Sequence, residues 1–266
     1  MSVVAAARVR LNRRFARSAP EWLKRGLRHR VPVVMELERL ELIERAGLDE
    51  LRDAGWLEET LLPALGINDD APELFPPELR RHLGQGLRYW QYPCQLAPYL
   101  VLLSRLGIRS YIEIGVQHGG TFVLTTEYLN RFNPVASAIA IDLVKVRSLR
   151  EYAARRPGAE FRQDDSQSRA FRRFLSARAP VDLVLIDGDH SRDAVRRDWE
   201  TVRPHARVVA FHDIVDHQSP GVGQTWREVR AAHAAEYEFH EFTRQYPEVR
   251  ERTGATHLGI GVAIRR

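Results

Sequence analysis

Two apolar rhythms divide the chain near residue 109. Before it, Met35, Leu37, Leu40, Ile43 and Leu48 recur at near-helical spacing with acidic residues between them, and Gly47 offers a stop. Pro63, Pro72, Pro76 and Pro77 mark a connector, and a further helix is expected from about Gln95 to Leu106, ending at Gly107. Beyond Arg109, short apolar runs alternate with helical stretches. The runs are Ser110–Ile114, Ala136–Ile141, Glu160–Arg162, Val181–Ile186 and Val208–Phe211, then Tyr237–Phe242 and His257–Ile264. Strands spaced by helices predict an α/β fold, a doubly wound and mostly parallel seven-stranded Rossmann-like sheet. The last two strands leave little room for a crossover helix, so a hairpin-like pair with an antiparallel last strand is expected. Ligands of such sheets lie beyond the carboxyl ends of the strands, which directs attention there.

Composition narrows the class without changing the fold. With 266 residues, 44% hydrophobic and 28% charged, the chain has the make-up of a globular protein with a sizeable core. No apolar run approaches the roughly 20 residues that span a bilayer. Cys94 is the single cysteine, which excludes an intramolecular disulfide and a cysteine-rich zinc site and fits a reducing, cytoplasmic compartment. The formal charge is +5, and only Lys24 and Lys145 among the basic residues are lysines. Residues 1–20 carry Arg8, Arg10, Arg13, Arg14 and Arg17 and no acid. Such an arm is either a loosely docked helix or a contact for nucleic acid, a membrane surface or a targeting receptor.

The strand ends carry the chemistry. "EIGVQHGGTF" follows the first strand with glycines at 115, 119 and 120. Glycines there let the chain turn sharply and bring backbone N–H groups to a ligand at the next helix start. The spacing is G-x-x-x-G-G rather than the dinucleotide G-x-G-x-x-G, which argues against a pyrophosphate ligand. Asp142 ends the second strand, where an acid can accept ribose hydroxyls, and Asp165-Ser166 follow the third, within reach of an adenine edge. The fourth strand delivers Asp187, Asp189 and His190, and the fifth delivers His212 and Asp213. Oxygen ligands with an imidazole suit Mg²⁺ or another divalent ion, and a nearby His can take a proton. Asp189 is the member most simply explained as a cap of the helix starting near Ser191.

Taken in order, "EIGVQHGGTF", "DDSQS", "LIDGDHS" and "FHD" resemble the class I S-adenosylmethionine-dependent methyltransferases, within them the bacterial small-molecule group of macrocin-type O-methyltransferases and cephalosporin hydroxylase-like proteins. The resemblance covers about 91–266 and implies an S-adenosyl-L-methionine-binding domain there, with 1–90 as a helical extension bearing the basic arm. It implies that Glu113 and the loop residues Gly115, Gln117, Gly119, Gly120 and Thr121 hold the methionine part. Asp142 would take the ribose, and Asp165 with Ser166 the adenine. It further implies catalytic roles for Asp187 and His190, and a divalent-metal site at Asp187, His212 and Asp213. Here the family's acidic pair is His212-Asp213, so one oxygen ligand is replaced by nitrogen. The expected activity is methyl transfer to a hydroxyl of a small molecule, a sugar or natural product. Two alternatives stay open: a non-catalytic cofactor-binding scaffold, and a nucleic-acid methyltransferase using the arm, the latter disfavoured because no base-amine motif is found. A homo-oligomer is compatible with everything above.

Two aromatic stretches admit two readings each. "GVGQTWREV", residues 221–229, is either a mobile loop whose Trp226 closes over substrate or a helix that Trp226 and Val229 anchor. Tyr89, Trp90, Tyr92 and Tyr99 either line the pocket or dock the N-terminal part onto the sheet.

Overall fold

The computed structural model describes residues 34–266, and the arginine-rich arm at 1–20 lies outside them. The expected strands form as β1 Ser110–Ile114, β2 Ser137–Asp142, β3 Ala159–Gln163, β4 Val181–Ile186, β5 Ala206–His212, β6 Tyr237–Phe242 and β7 Ile260–Arg265. They make one sheet in the order β3-β2-β1-β4-β5-β7-β6. The first five are parallel, and β7 runs antiparallel to both β5 and β6. The link between β6 and β7 is longer than a hairpin turn: a short helix, Pro247–Thr253, occupies it. The expected antiparallel last strand and terminal antiparallel pair both form, β6 and β7 pairing along six positions, with a helix in the connection where little room was expected.

The helices that accompany the sheet are α1 Pro93–Ser104, α2 Gly120–Asn130, α3 Leu149–Arg155, α4 Arg169–Arg178, α5 Arg192–Val202, α6 Pro220–His233 and α7 Pro247–Thr253. The sheet alternation decides which helix meets which face. Tyr111, Leu183, Leu185, Val208 and Ala210 face α1, α2 and α3 together with the chain before α1. Ile112, Ile114, Val184, Ile186, Val209 and Phe211 face α4, α5 and α6, including the buried stripe Val195, Trp199 and Val202 of α5. Residues 221–229 therefore belong to a helix, not a mobile loop. Their glycines serve close packing: a Cβ on Gly221 would lie 2.4 Å from the Arg192 nitrogen, and one on Gly223 would lie 2.7 Å from the Ile214 carbonyl oxygen. Trp226 is buried against Phe211 and Phe239.

The chain before α1 is less regular than its apolar spacing predicts. Leu40–Arg45 and Leu48–Leu51 are short helical turns, and Ala54–Trp56 passes through a π-helical turn, Leu57–Leu61, into Leu62–Leu65. Two strands of backbone then cross. Leu87 N–H donates to the Leu65 carbonyl at 2.7 Å and Tyr89 N–H to that of Gly66 at 3.3 Å. This pins residues 84–91 across the start of α2, so closely that a Cβ on Gly120 would lie 2.3 Å from the Leu87 carbonyl oxygen. Tyr89, Tyr92 and Tyr99 are buried in that junction, the docking role rather than the pocket-lining one. Cys94 is buried too, and burial pushes its thiol pKa up, which suits packing and not nucleophilic chemistry.

Candidate active site

Register brings the strand ends together. Ile186 of β4 pairs with Phe211 of β5, so the next residues, Asp187 and His212, stand side by side on the face that the N-terminal chain covers. Ile114 of β1 also pairs with Ile186, which sets Gly115 against Asp187. The approach is close: a Cβ at Gly115, whose φ is 83°, would lie 2.1 Å from the Asp187 carbonyl oxygen. Glycine is needed there for that contact as much as for any ligand.

Four titratable groups converge. His190 Nε2 lies 3.2 Å from Asp187 Oδ1, and its Nδ1 lies 3.0 Å from the Ser219 hydroxyl and 3.3 Å from Asp213 Oδ2. His212 Nδ1 lies 3.3 Å from Asp187 Oδ1 and 2.9 Å from Asp213 Oδ1. On its other side His212 Nε2 is 3.1 Å from the Trp90 carbonyl and 3.2 Å from the Gln91 amide nitrogen. The Trp90 carbonyl can only accept, so it takes a hydrogen on Nε2; the Gln91 amide nitrogen, itself a donor, then adds no hydrogen bond there, and Nδ1 is left turned toward the carboxylates.

The electrostatics follow from two carboxylates in a dry place. Burial pulls the His212 pKa down, but Asp187 and Asp213 outweigh it and push it up to about 10. His190 is raised by the same two acids against the opposing pull of burial. Burial acts to raise Asp213, and the charge and proximity of His212 hold it below the usual carboxylate range instead. Nearby, on the same face of β1, Glu113 is fully enclosed, accepts from the Tyr111 hydroxyl, and is pushed by burial up to about 8.

The same geometry tests a divalent cation. Asp187, His190 and Asp213 each offer a ligand atom within 4.8 Å of the others. His212 stands behind this trio and offers Nδ1 to the same two carboxylates. Two of these atoms, His212 Nδ1 and Asp213 Oδ1, are buried and have no hydrogen-bond partner. Although 2.9 Å apart, they are not aligned as donor and acceptor. Two carboxylates with an imidazole beside orphaned buried polar atoms are a donor set that fits a divalent ion, which would take the place of the proton His212 otherwise carries.

The second group of expected residues gathers at the glycine loop. Asp142 Oδ2 accepts from the Val116 and Gln117 N–H groups, both at 3.1 Å, and Oδ1 accepts from Val144 N–H at 3.0 Å. Gly119, with φ of 84°, begins α2, and Thr121 accepts from Trp90 N–H at 3.2 Å. Gln117 donates from its side chain to Asp70 at 2.7 Å and accepts from Asn68 at 3.4 Å. Asp165 and Ser166 lie at the turn into α4, just after Asp164, whose N–H donates to the Asp142 carbonyl at 3.0 Å: Asp165 accepts from Gln167 N–H at 2.8 Å and Ser166 donates to Asp198 of α5 at 2.8 Å. Asp189 accepts from Ser191 N–H at 2.8 Å, a local turn ahead of α5 rather than the helix cap expected of it, because Ser191 itself is the N-cap residue.

Asn68, Asp70, Gln91 and Ser219 reach this region without any signal in the sequence. They come from segments whose approach is set by chain crossings and helix packing, not by a motif.

Residues 112–214 match the family model described as a methyltransferase domain. No curated protein matches the chain. Among solved structures, an O-methyltransferase from Bacillus cereus in complex with S-adenosylhomocysteine is 14% identical, with a TM-score of 0.48, over 86% of this chain and 91% of that one. The O-methyltransferase TomG from Streptomyces achromogenes, in complex with S-adenosylmethionine, is 20% identical, with a TM-score of 0.43, over 64% and 80%. The MycE methyltransferase of the mycinamycin pathway, in complex with Mg and S-adenosylhomocysteine, is 18% identical, with a TM-score of 0.42, over 64% and 50%. Among the described residues no helix is long and apolar enough to cross a membrane. The methyltransferase match thus spans β1 to the residues just after β5, and the sheet around it is the seven-stranded, mostly parallel one that the strand-end motifs lead one to expect.

Proposed function

We propose that this protein methylates a hydroxyl of a small molecule, a sugar or natural product, using S-adenosylmethionine. The observation that carries the reading is the meeting of Asp187, His190, His212 and Asp213 at the ends of β4 and β5, one strand from the glycine loop. When bound, the sulfonium cofactor supplies the methyl group and a divalent cation supplies positive charge that lowers the acceptor's pKa. The protein's own residues do the rest. Gly115 to Thr121 and Asp142 form the cradle for the cofactor, and Asp187 with Asp213 orient the acceptor oxygen. His190, half-exposed beside both acids, takes the hydroxyl proton as that oxygen gains the methyl group. Residues 84–91, laid over the start of α2, form one wall and keep water from that side.

Isothermal titration with S-adenosylhomocysteine tests the cofactor, and transfer of a tritiated methyl group to a panel of sugars and glycosylated natural products tests the acceptor. Binding of the demethylated product and labelling of a hydroxyl compound are expected. Absence of binding would overturn the reading. Labelling unaffected by EDTA and by Asp187→Ala would remove the metal-assisted step.

A further inference from the structure

We propose that the cation site at the ends of β4 and β5 selects a nitrogen-preferring divalent transition metal over Mg²⁺, with His212 Nδ1 as the selecting ligand. This deepens the metal-assisted reading above and rests on it. His212 is 2% exposed and its Nδ1 has no hydrogen-bond partner, although Asp187 Oδ1 and Asp213 Oδ1 both lie close to it. Its separations from them are 3.3 and 2.9 Å. Ligands at right angles around one ion, each about 2.1 Å from it, lie about 3 Å apart. The far nitrogen, Nε2, meets the Trp90 carbonyl at 3.1 Å, an arrangement that fixes the ring orientation and raises the basicity of the ligating nitrogen.

Chemistry then decides the metal. Mg²⁺ takes oxygen ligands in near-ideal octahedra and dehydrates reluctantly. Imidazole favours Zn²⁺, Co²⁺, Fe²⁺ and Ni²⁺. A site with a buried imidazole facing two carboxylates has the donor set of the second class.

The test uses the full chain, stripped with chelator and titrated separately with Co²⁺, Zn²⁺ and Mg²⁺ by calorimetry. Co²⁺ and Zn²⁺ are expected to bind more tightly than Mg²⁺, and His212→Asp to narrow the Co²⁺-to-Mg²⁺ affinity ratio by about tenfold or more. Equal or tighter Mg²⁺ binding, an unchanged ratio in a folded variant, or no binding of any ion overturns the proposal. Should His212→Asp fail to fold, His190→Ala, at a half-exposed site, replaces it: loaded with Mn²⁺, that variant must still show electron spin-echo coupling to a coordinated nitrogen. Loss of the coupling also overturns the assignment to His212. Titration of the same samples with S-adenosylhomocysteine reports separately on the methyltransferase reading, so either can fail alone.

Discussion

His212 Nδ1 lies 2.9 Å from Asp213 Oδ1, although the two residues are consecutive at the end of a strand. Strand alternation sends neighbouring side chains to opposite faces. Asp213 escapes that rule because its φ is 65°, a left-handed turn immediately after β5 that folds its carboxylate back to the His212 side. A non-glycine residue pays about 1–2 kcal/mol for such a backbone, and Asp and Asn tolerate it best. Asp213→Asn is therefore expected to keep the turn and melt in urea near wild type, while its divalent-cation affinity falls at least about tenfold. Asp213→Val should lose both, with a further loss of stability of about 1–3 kcal/mol from the strained β-branched residue. Paired urea melts and cation titrations check this, and equal stability of the Asn and Val variants would remove the role assigned to the backbone.

Glu113 sets a pH dependence of stability. Its pKa, ordinarily 4.5, is pushed to about 8 by burial beneath the wall of the N-terminal chain. Below 4.5 the carboxyl is protonated in both folded and unfolded chains, and its full contribution is present. Between 4.5 and about 8 the unfolded chain ionises while the folded chain holds its proton, so stability falls as pH rises through that window. Glu113→Gln keeps an acceptor for the Tyr111 hydroxyl and cannot ionise. Its melting temperature is expected to gain on wild type between pH 4.5 and pH 9. A difference constant with pH would mean that Glu113 is charged in the folded protein.

Trp226 is expected to act through packing. It is 2% exposed, its ring meets Phe211 and Phe239 at centroid distances of 5.2 and 5.5 Å, and Gly261 leaves room for it. Trp226→Ala should cost about 3–5 kcal/mol in a denaturant melt. Trp226→Phe should cost less and leave S-adenosylhomocysteine affinity unchanged. A stable Ala variant with altered acceptor affinity would restore a lid role.

Much of this was legible in the sequence because strand ends in a parallel sheet are predictable places. The run Val181–Ile186, largely apolar, announces a strand buried on both faces, and the residue after it has to emerge where ligands bind. The strand-end positions of Asp187 and His212 follow from one strand each, and register sets them side by side. What the sequence hid has two causes. Gln91 and Trp90 meet His212 only because Leu87 and Tyr89 hydrogen-bond to the backbone at 65–66, a contact that leaves no periodic trace. The glycines of 221–229 imitate a loop because a helix packed hard against two backbones also needs residues without a Cβ.

Asp142 gives the clearest test of the glycine loop. Its Oδ2 accepts two loop N–H groups and its Oδ1 accepts Val144 N–H, so both oxygens face donors. Asparagine is nearly the same size but has one oxygen and one amide nitrogen. Whichever way it is turned, an asparagine here points an N–H group at another donor, either at the loop or at Val144. Asp142→Asn is therefore expected to destabilise the chain by about 1–3 kcal/mol, the cost of an unmet hydrogen bond in a partly buried place. Displaced loop N–H groups should also weaken S-adenosylhomocysteine binding, by more than the same change at Asp189, whose bond to Ser191 N–H lies outside the glycine loop. Urea melts and calorimetry on the two variants separate the effects. An Asp142→Asn protein that matches wild type in both would show that the carboxylate neither shapes the loop nor serves the cofactor.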